Sequence, residues 1–120
     1  MAFIGASPDS TFVSGVFTSD PLRSLTHDLV TGSVFSNEAG KISIEQSPDG
    51  VNWDIKNYSY SKNSAYDANN IDHAVSSNAG TGFVEQIILP YWRVKFTATS
   101  GTAPTTFRLH ARTSDASVKY

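Results

Sequence analysis

Apolar and polar residues alternate with a period of two along much of the chain. No 11-residue window carries the i, i+3, i+4, i+7 apolar spacing of an amphipathic helix. The clearest run is Tyr91 to Thr97, which sets Trp92, Val94 and Phe96 on one side and Arg93, Lys95 and Thr97 on the other. Lys41 to Ser47 puts Ile42 and Ile44 opposite Lys41, Ser43 and Glu45. Thr106 to Arg112 puts Phe107, Leu109 and Ala111 opposite Arg108, His110 and Arg112. Each predicts a half-buried strand, because successive side chains of a strand point to opposite faces.

Further strands are expected over Phe12 to Thr18 and Leu29 to Phe35, with Gly15 and Gly32 as bulge positions. Asp54 to Tyr60 and Phe83 to Leu89 read as two more. Turn chemistry separates these runs. In Pro48-Asp49-Gly50 proline presets φ, aspartate bonds nearby backbone and glycine accepts positive φ. Asn37-Glu38-Ala39-Gly40 is a similar turn. Ser100-Gly101-Thr102-Ala103-Pro104 is expected to join the last two strands as an antiparallel pair, and Pro90 opens the first of them. Ser61 to Thr81 is rich in Ser, Asn, Ala and Asp and reads as a long loop holding one short strand at His73 to Val75. The pattern predicts an all-β fold: a single antiparallel β-sandwich of about eight strands, of jelly-roll or immunoglobulin-like form. Residues 1–11 are expected to form an extended N-terminal arm, 12–113 the sandwich and 114–120 a C-terminal tail.

A chain of 120 residues suits one domain. Charged residues make up 17%, below the roughly 25% of an average soluble domain, and Ser, Thr and Asn take their place. A surface of that kind favours hydrogen-bonded contacts. The net charge of −2 argues against nucleic-acid binding, which needs a basic face. The nearest approach to one is Arg93, Lys95, Arg108 and Arg112, read as a solvated strand face. Without cysteine there is no disulfide, thiol catalysis or thiolate zinc site. No apolar run is long enough for a membrane span, and the N-terminus lacks the basic region of a signal peptide. The expectation is a chain made in the cytoplasm that stays in solution.

Candidate chemistry is sparse. His27, His73 and His110 are far apart and form no motif, and no nucleophile elbow, zinc helix or phosphate loop is present. Glu45 and Glu85 lie on expected strands without a cleft to share, so a glycosidase pair is not indicated. Asp67 to Asp72, and Asp49 with Asn52 and Asp54, offer oxygen donors but lack the glycine and distal glutamate of a calcium loop. They also fit ordinary turns. No catalytic residue, metal site or cofactor is therefore assigned. The aromatic residues are better candidates for contact with a partner. Trp92 alternates with core residues, and Trp53 is expected to pack across the sandwich. Tyr58, Tyr60 and Tyr66 sit beside or within the long loop, where tyrosine supplies contact area at small entropy cost. Phe3 and Ile4, beside Gly5, Ser7 and Pro8, suit an arm laid on a neighbour.

One stretch resembles a known group. Gly40-Lys41-Ile42-Ser43-Ile44-Glu45-Gln46-Ser47-Pro48-Asp49-Gly50-Val51-Asn52-Trp53-Asp54 is similar to a pattern of small phage and prophage proteins. Pro90-Tyr91-Trp92-Arg93-Val94, Gly101-Thr102, Phe107-Arg108-Leu109 and the opening Met-Ala-Phe-Ile-Gly-Ala fit the same pattern, which departs in Ser61 to Thr81. The resemblance covers about two-thirds of the chain. It implies a non-enzymatic virion structural protein, most simply a capsid decoration or cement protein that stabilises the phage head. The alternative is a small tail or fibre component, or a carbohydrate- or receptor-binding module. Implied partners are other virion proteins, such as the major capsid protein or tail proteins, and copies of the chain itself. Nucleic acid and membrane are not among them, and the implied location is the virion.

Overall fold

The computed structural model describes residues 3–6, 12–24, 28–56 and 72–115. Ten strands lie in these segments: β1 Phe3–Ala6, β2 Val16–Thr18, β3 Leu22–Arg23, β4 Asp28–Ser36, β5 Gly40–Ser47, β6 Ile55–Lys56, β7 His73–Val75, β8 Ala79–Gln86, β9 Tyr91–Ala98 and β10 Phe107–Asp115. All pairing is antiparallel. Sheet I has the order β1-β10-β4-β8. Sheet II has the order β2-β9-β5-β6, with β3 also on β9 and β7 also on β5. The fold is all-β, two antiparallel sheets forming a sandwich.

The alternation places the core. Trp92, Val94 and Phe96 of β9 and Ile42 and Ile44 of β5 meet Val30 and Val34 of β4, Phe83 of β8 and Phe107, Leu109 and Ala111 of β10. Phe107 is the hub of an aromatic cluster, with ring centroids 5.0 Å from Phe96, 5.2 Å from Phe12 and 6.3 Å from Phe17. Ile4 of β1 joins the same core. The described part of the expected arm is thus an edge strand of its own domain, in register with Leu109 to Arg112.

Consecutive strands mostly lie in different sheets, and among the described strands only β5 and β6 are both consecutive and paired. The turn Asn37 to Ala39 carries the chain from sheet I to sheet II. Ser100 to Pro104 carries it from β9 in sheet II to β10 in sheet I. The expected pairing of those last two strands is therefore wrong. β10 pairs with β4 along its whole length, Phe107 opposite Ser36 through Asp115 opposite Asp28, and with β1 on its other side.

Two glycines expected to mark bulges do other work. Ser14 and Gly15 both have positive φ, 52° and 79°, and turn the chain back so that Val13 bridges Val16. That is a tight reversal of the type that needs two left-handed residues, so Phe12 to Thr18 is not one strand. Gly32 stays inside a regular strand. A Cβ there would stand 2.4 Å from the His110 carbonyl oxygen and 2.5 Å from the Phe83 ring. Glycine lets β4, β10 and the Phe83 ring close on one another.

The edges of sheet II are segmented. β2 and β3 lie in turn along one edge of β9, and Ser19 fills the gap between them. Its N–H donates to the Val94 carbonyl at 2.9 Å, and its Oγ accepts the Val94 N–H at 2.9 Å. β7 and β6 divide the far edge of β5 in the same way. Short, interrupted edges offer little ladder for a foreign strand.

Candidate interaction surface

The polar groups of the sandwich fall into three sets: a turn, a bridge between the layers and the two outer faces. The turn follows β5. Asp49 Oδ1 accepts from Ser47 Oγ at 2.9 Å, Val51 N–H at 2.9 Å and Asn52 N–H at 2.8 Å, and Oδ2 accepts from Asn52 Nδ2 at 2.7 Å. The amides of Asn52 and Val51, then the Ser47 hydroxyl, hold the Asp49 carboxyl well below the usual carboxylate range. Ser47 Oγ in turn accepts the Gly50 N–H at 2.8 Å. Asp49 is committed to this turn. Among the described residues no group of three or more His, Asp or Glu is placed to hold a metal ion.

The turn delivers Trp53 to the outer face of sheet II, not to the core as expected. There the Arg93 guanidinium lies 4.2 Å from the Trp53 ring centroid, and its Nε donates to Glu45 Oε1 at 2.7 Å. Asp72, just before β7, accepts from Ser43 Oγ at 2.7 Å and pairs with Lys56 at 3.4 Å and Lys41 at 3.7 Å. Arg23 sits 5.6 Å over the Tyr91 ring. Most cations of this face therefore have partners in the domain itself.

Two devices tie the layers together. Gln46 of β5 is wholly buried. Its Nε2 donates to the Gln86 carbonyl at 2.8 Å, and its Oε1 accepts the N–H groups of Ile88 at 2.8 Å and Leu89 at 3.1 Å. His73 of β7 meets Glu85 of β8, Nε2 to Oε2 2.5 Å. Glu85 is buried and its Oε1 has no partner among the described residues. Glu45 and Glu85 do not face one another: Glu45 lies on the outer face of sheet II, and Glu85 lies between the layers.

The outer face of sheet I is of a different kind. Arg108, His110 and Arg112 alternate along β10 and are exposed, as the pattern predicts. Arg108 stacks on Phe35 of β4 at 4.4 Å. The four cations read as one cluster are thus split between layers, Arg93 and Lys95 on sheet II, Arg108 and Arg112 on sheet I. Tyr58, Tyr60 and Tyr66 lie outside the described residues, as do Asp67 to Ile71. Of Phe3 the backbone is placed in β1, and Ile4 is a core residue. Gly80 and Gly82, exposed in β8, fell within or at the margin of the expected loop. Their small-residue alternation with Thr81 and Phe83 is the signal that could have marked a strand.

No protein-family model matches the chain, and no curated protein matches it. One solved structure shares its fold. PBSX exported protein XepA matches over 98% of this chain with a TM-score of 0.69 at 12% sequence identity. The chain spans 39% of that protein's length. A likeness at this identity shows that the two-sheet arrangement recurs in a larger exported protein. The site residues have to be read from this chain itself.

Proposed function

We propose that the chain is a structural module of a phage particle, most specifically a head decoration protein that docks on the assembled shell and reinforces it. The observation that carries this is the sandwich shared, over nearly the whole chain, with PBSX exported protein XepA. The Gly40 to Asp54 stretch that resembles small phage proteins supports it, because here it builds one of the two central strands of sheet II and the turn that presents Trp53. The internal bonding supports it too. Gln46, Glu85, His73, Asp49 and Asp72 are engaged in holding strands and turns together, which suits a rigid block that works by its surface. Many weak contacts, repeated by symmetry over a shell, then add to a stable attachment. Tyr58, Tyr60 and Tyr66, and Phe3 at the sheet edge, remain proposed contacts in this reading.

The test is cosedimentation. Purified chain is mixed with particles from a phage lacking its gene and spun through a density gradient. Comigration with heads to a saturating level supports decoration. Comigration with isolated tails favours the tail or fibre reading. Absence from every particle fraction refutes both.

A further inference from the structure

The outer face of sheet I combines two features that the domain's own packing does not account for. The first is uncompensated charge. None of the outward side chains described on β4, β8 and β10 is a carboxylate, so Arg108 and Arg112 have no ion pair among the described residues. They stand four residues apart on one strand, a span of about 13 Å. The contrast is with sheet II, where Glu45 and Asp72 answer Arg93, Lys41 and Lys56. Stacking on Phe35 holds the Arg108 guanidinium while leaving its in-plane N–H donors available, the geometry that suits a two-pronged bond to a carboxylate.

The second is bare backbone. Gly80 lies in the cross-strand row of Arg108 and Phe35, and Gly82 in that of His110 and Ser33. A Cβ at Gly80 would meet nothing within 4 Å, and one at Gly82 only the Gly32 oxygen at 3.8 Å. Neither glycine is at positive φ. Glycine weakens a strand, and an unforced one often marks a place where another backbone comes close. Beside them Val84, in the row of Arg112, is 55% exposed.

We propose that this face is the docking surface, and that its occupant is an acidic, flat protein surface on the phage particle. The proposal rests on the particle-docking reading and names the side of the sandwich that does it. Two arginines on a chain of net charge −2 are too few to hold a phosphate backbone, which favours protein carboxylates over nucleic acid. Carboxylates meet the two guanidinium groups, and partner backbone settles over Gly80 and Gly82.

The experiment measures binding to particles purified from the gene-deleted phage. Wild type is compared with Arg108→Glu/Arg112→Glu, Gly80→Leu, Gly82→Leu and, as a control on the other face, Lys95→Glu. Thermal melts confirm that each variant folds. The reversal variant should bind roughly a hundredfold more weakly, about tenfold per charge, and each leucine variant about tenfold more weakly. Lys95→Glu should match wild type. Wild-type affinity should also fall as salt rises from about 0.05 to 0.5 M. If wild type binds and the reversal and leucine variants bind equally well, the face is wrong and the docking reading stands. If wild type binds no particle, the reading fails and this proposal fails with it. If wild type binds a short duplex DNA and the reversal variant does not, the face is a phosphate site and the proposal is overturned. Gly80→Leu serves as the steric test should Gly82→Leu melt early.

Discussion

Replacing Gln46 by leucine keeps a side chain of similar size in the core but removes a clamp between the layers. Three backbone groups lose their partner: the Gln86 carbonyl and the N–H groups of Ile88 and Leu89. An unpaired buried donor or acceptor costs about 1–3 kcal/mol. Ile88 is 38% exposed, so water can reach part of this segment and the two N–H groups belong at the low end. The sum is about 3–5 kcal/mol, offset by about 1 kcal/mol because leucine is less costly to bury than an amide. A net loss of about 2–4 kcal/mol follows, or a fall in Tm of roughly 10 °C for a domain of this size. Urea unfolding followed by tryptophan fluorescence and by circular dichroism gives the measurement. The midpoint should drop with the slope unchanged, because the surface exposed on unfolding is the same. A loss below about 1 kcal/mol would mean that the clamp is not what joins β5 to the segment after β8.

Other consequences follow from single positions. Gly32→Ala drives a Cβ into the His110 carbonyl and the Phe83 ring. It should cost about 1–3 kcal/mol or more in a melt, where an ordinary strand glycine would gain from alanine. The Asp49 turn should survive acid. Its carboxyl is lowered when folded, so its contribution is complete above the unfolded value of about 3.9 and fades only as pH falls through the lower folded value. Amide protection of Val51 and Asn52 by NMR should therefore persist at about pH 3 and vanish in Asp49→Ala at any pH; loss between about pH 5 and 4 in the wild type would contradict it.

The strands with one buried and one solvated face were legible, because burial of Trp92, Val94 and Phe96, or of Phe107, Leu109 and Ala111, imposes a period of two. His73 to Val75 was legible inside its polar surroundings. What could not be read was which strand pairs with which. Pro48-Asp49-Gly50 closes a true hairpin between β5 and β6, while Asn37 to Gly40 and Ser100 to Pro104 use similar turn-forming residue types to cross between layers. Turn chemistry bends the chain and does not say to which sheet it returns. The same ignorance merged Arg93 and Lys95 with Arg108 and Arg112, which alternate alike but face opposite ways out of the sandwich. Trp53 has no alternating neighbours, so nothing in its surroundings reveals that it meets Arg93 on the outer face of sheet II. The His73–Glu85 bridge joins residues of two sheets and becomes visible only when β7 and β8 are brought together. Gly80 looked like a loop residue and Gly82 stood at the loop's margin because glycine lowers strand propensity, and only the open space around them shows that crowding does not require glycine there.

The most direct measurement is quantitative mass spectrometry of gradient-purified particles from phage carrying this gene, with heads and tails separated. The account predicts the chain in the head fraction at a fixed ratio to the major shell protein, released together with the loss of shell stability. Recovery of the chain only in the particle-free supernatant, at no fixed ratio to any particle protein, would contradict it.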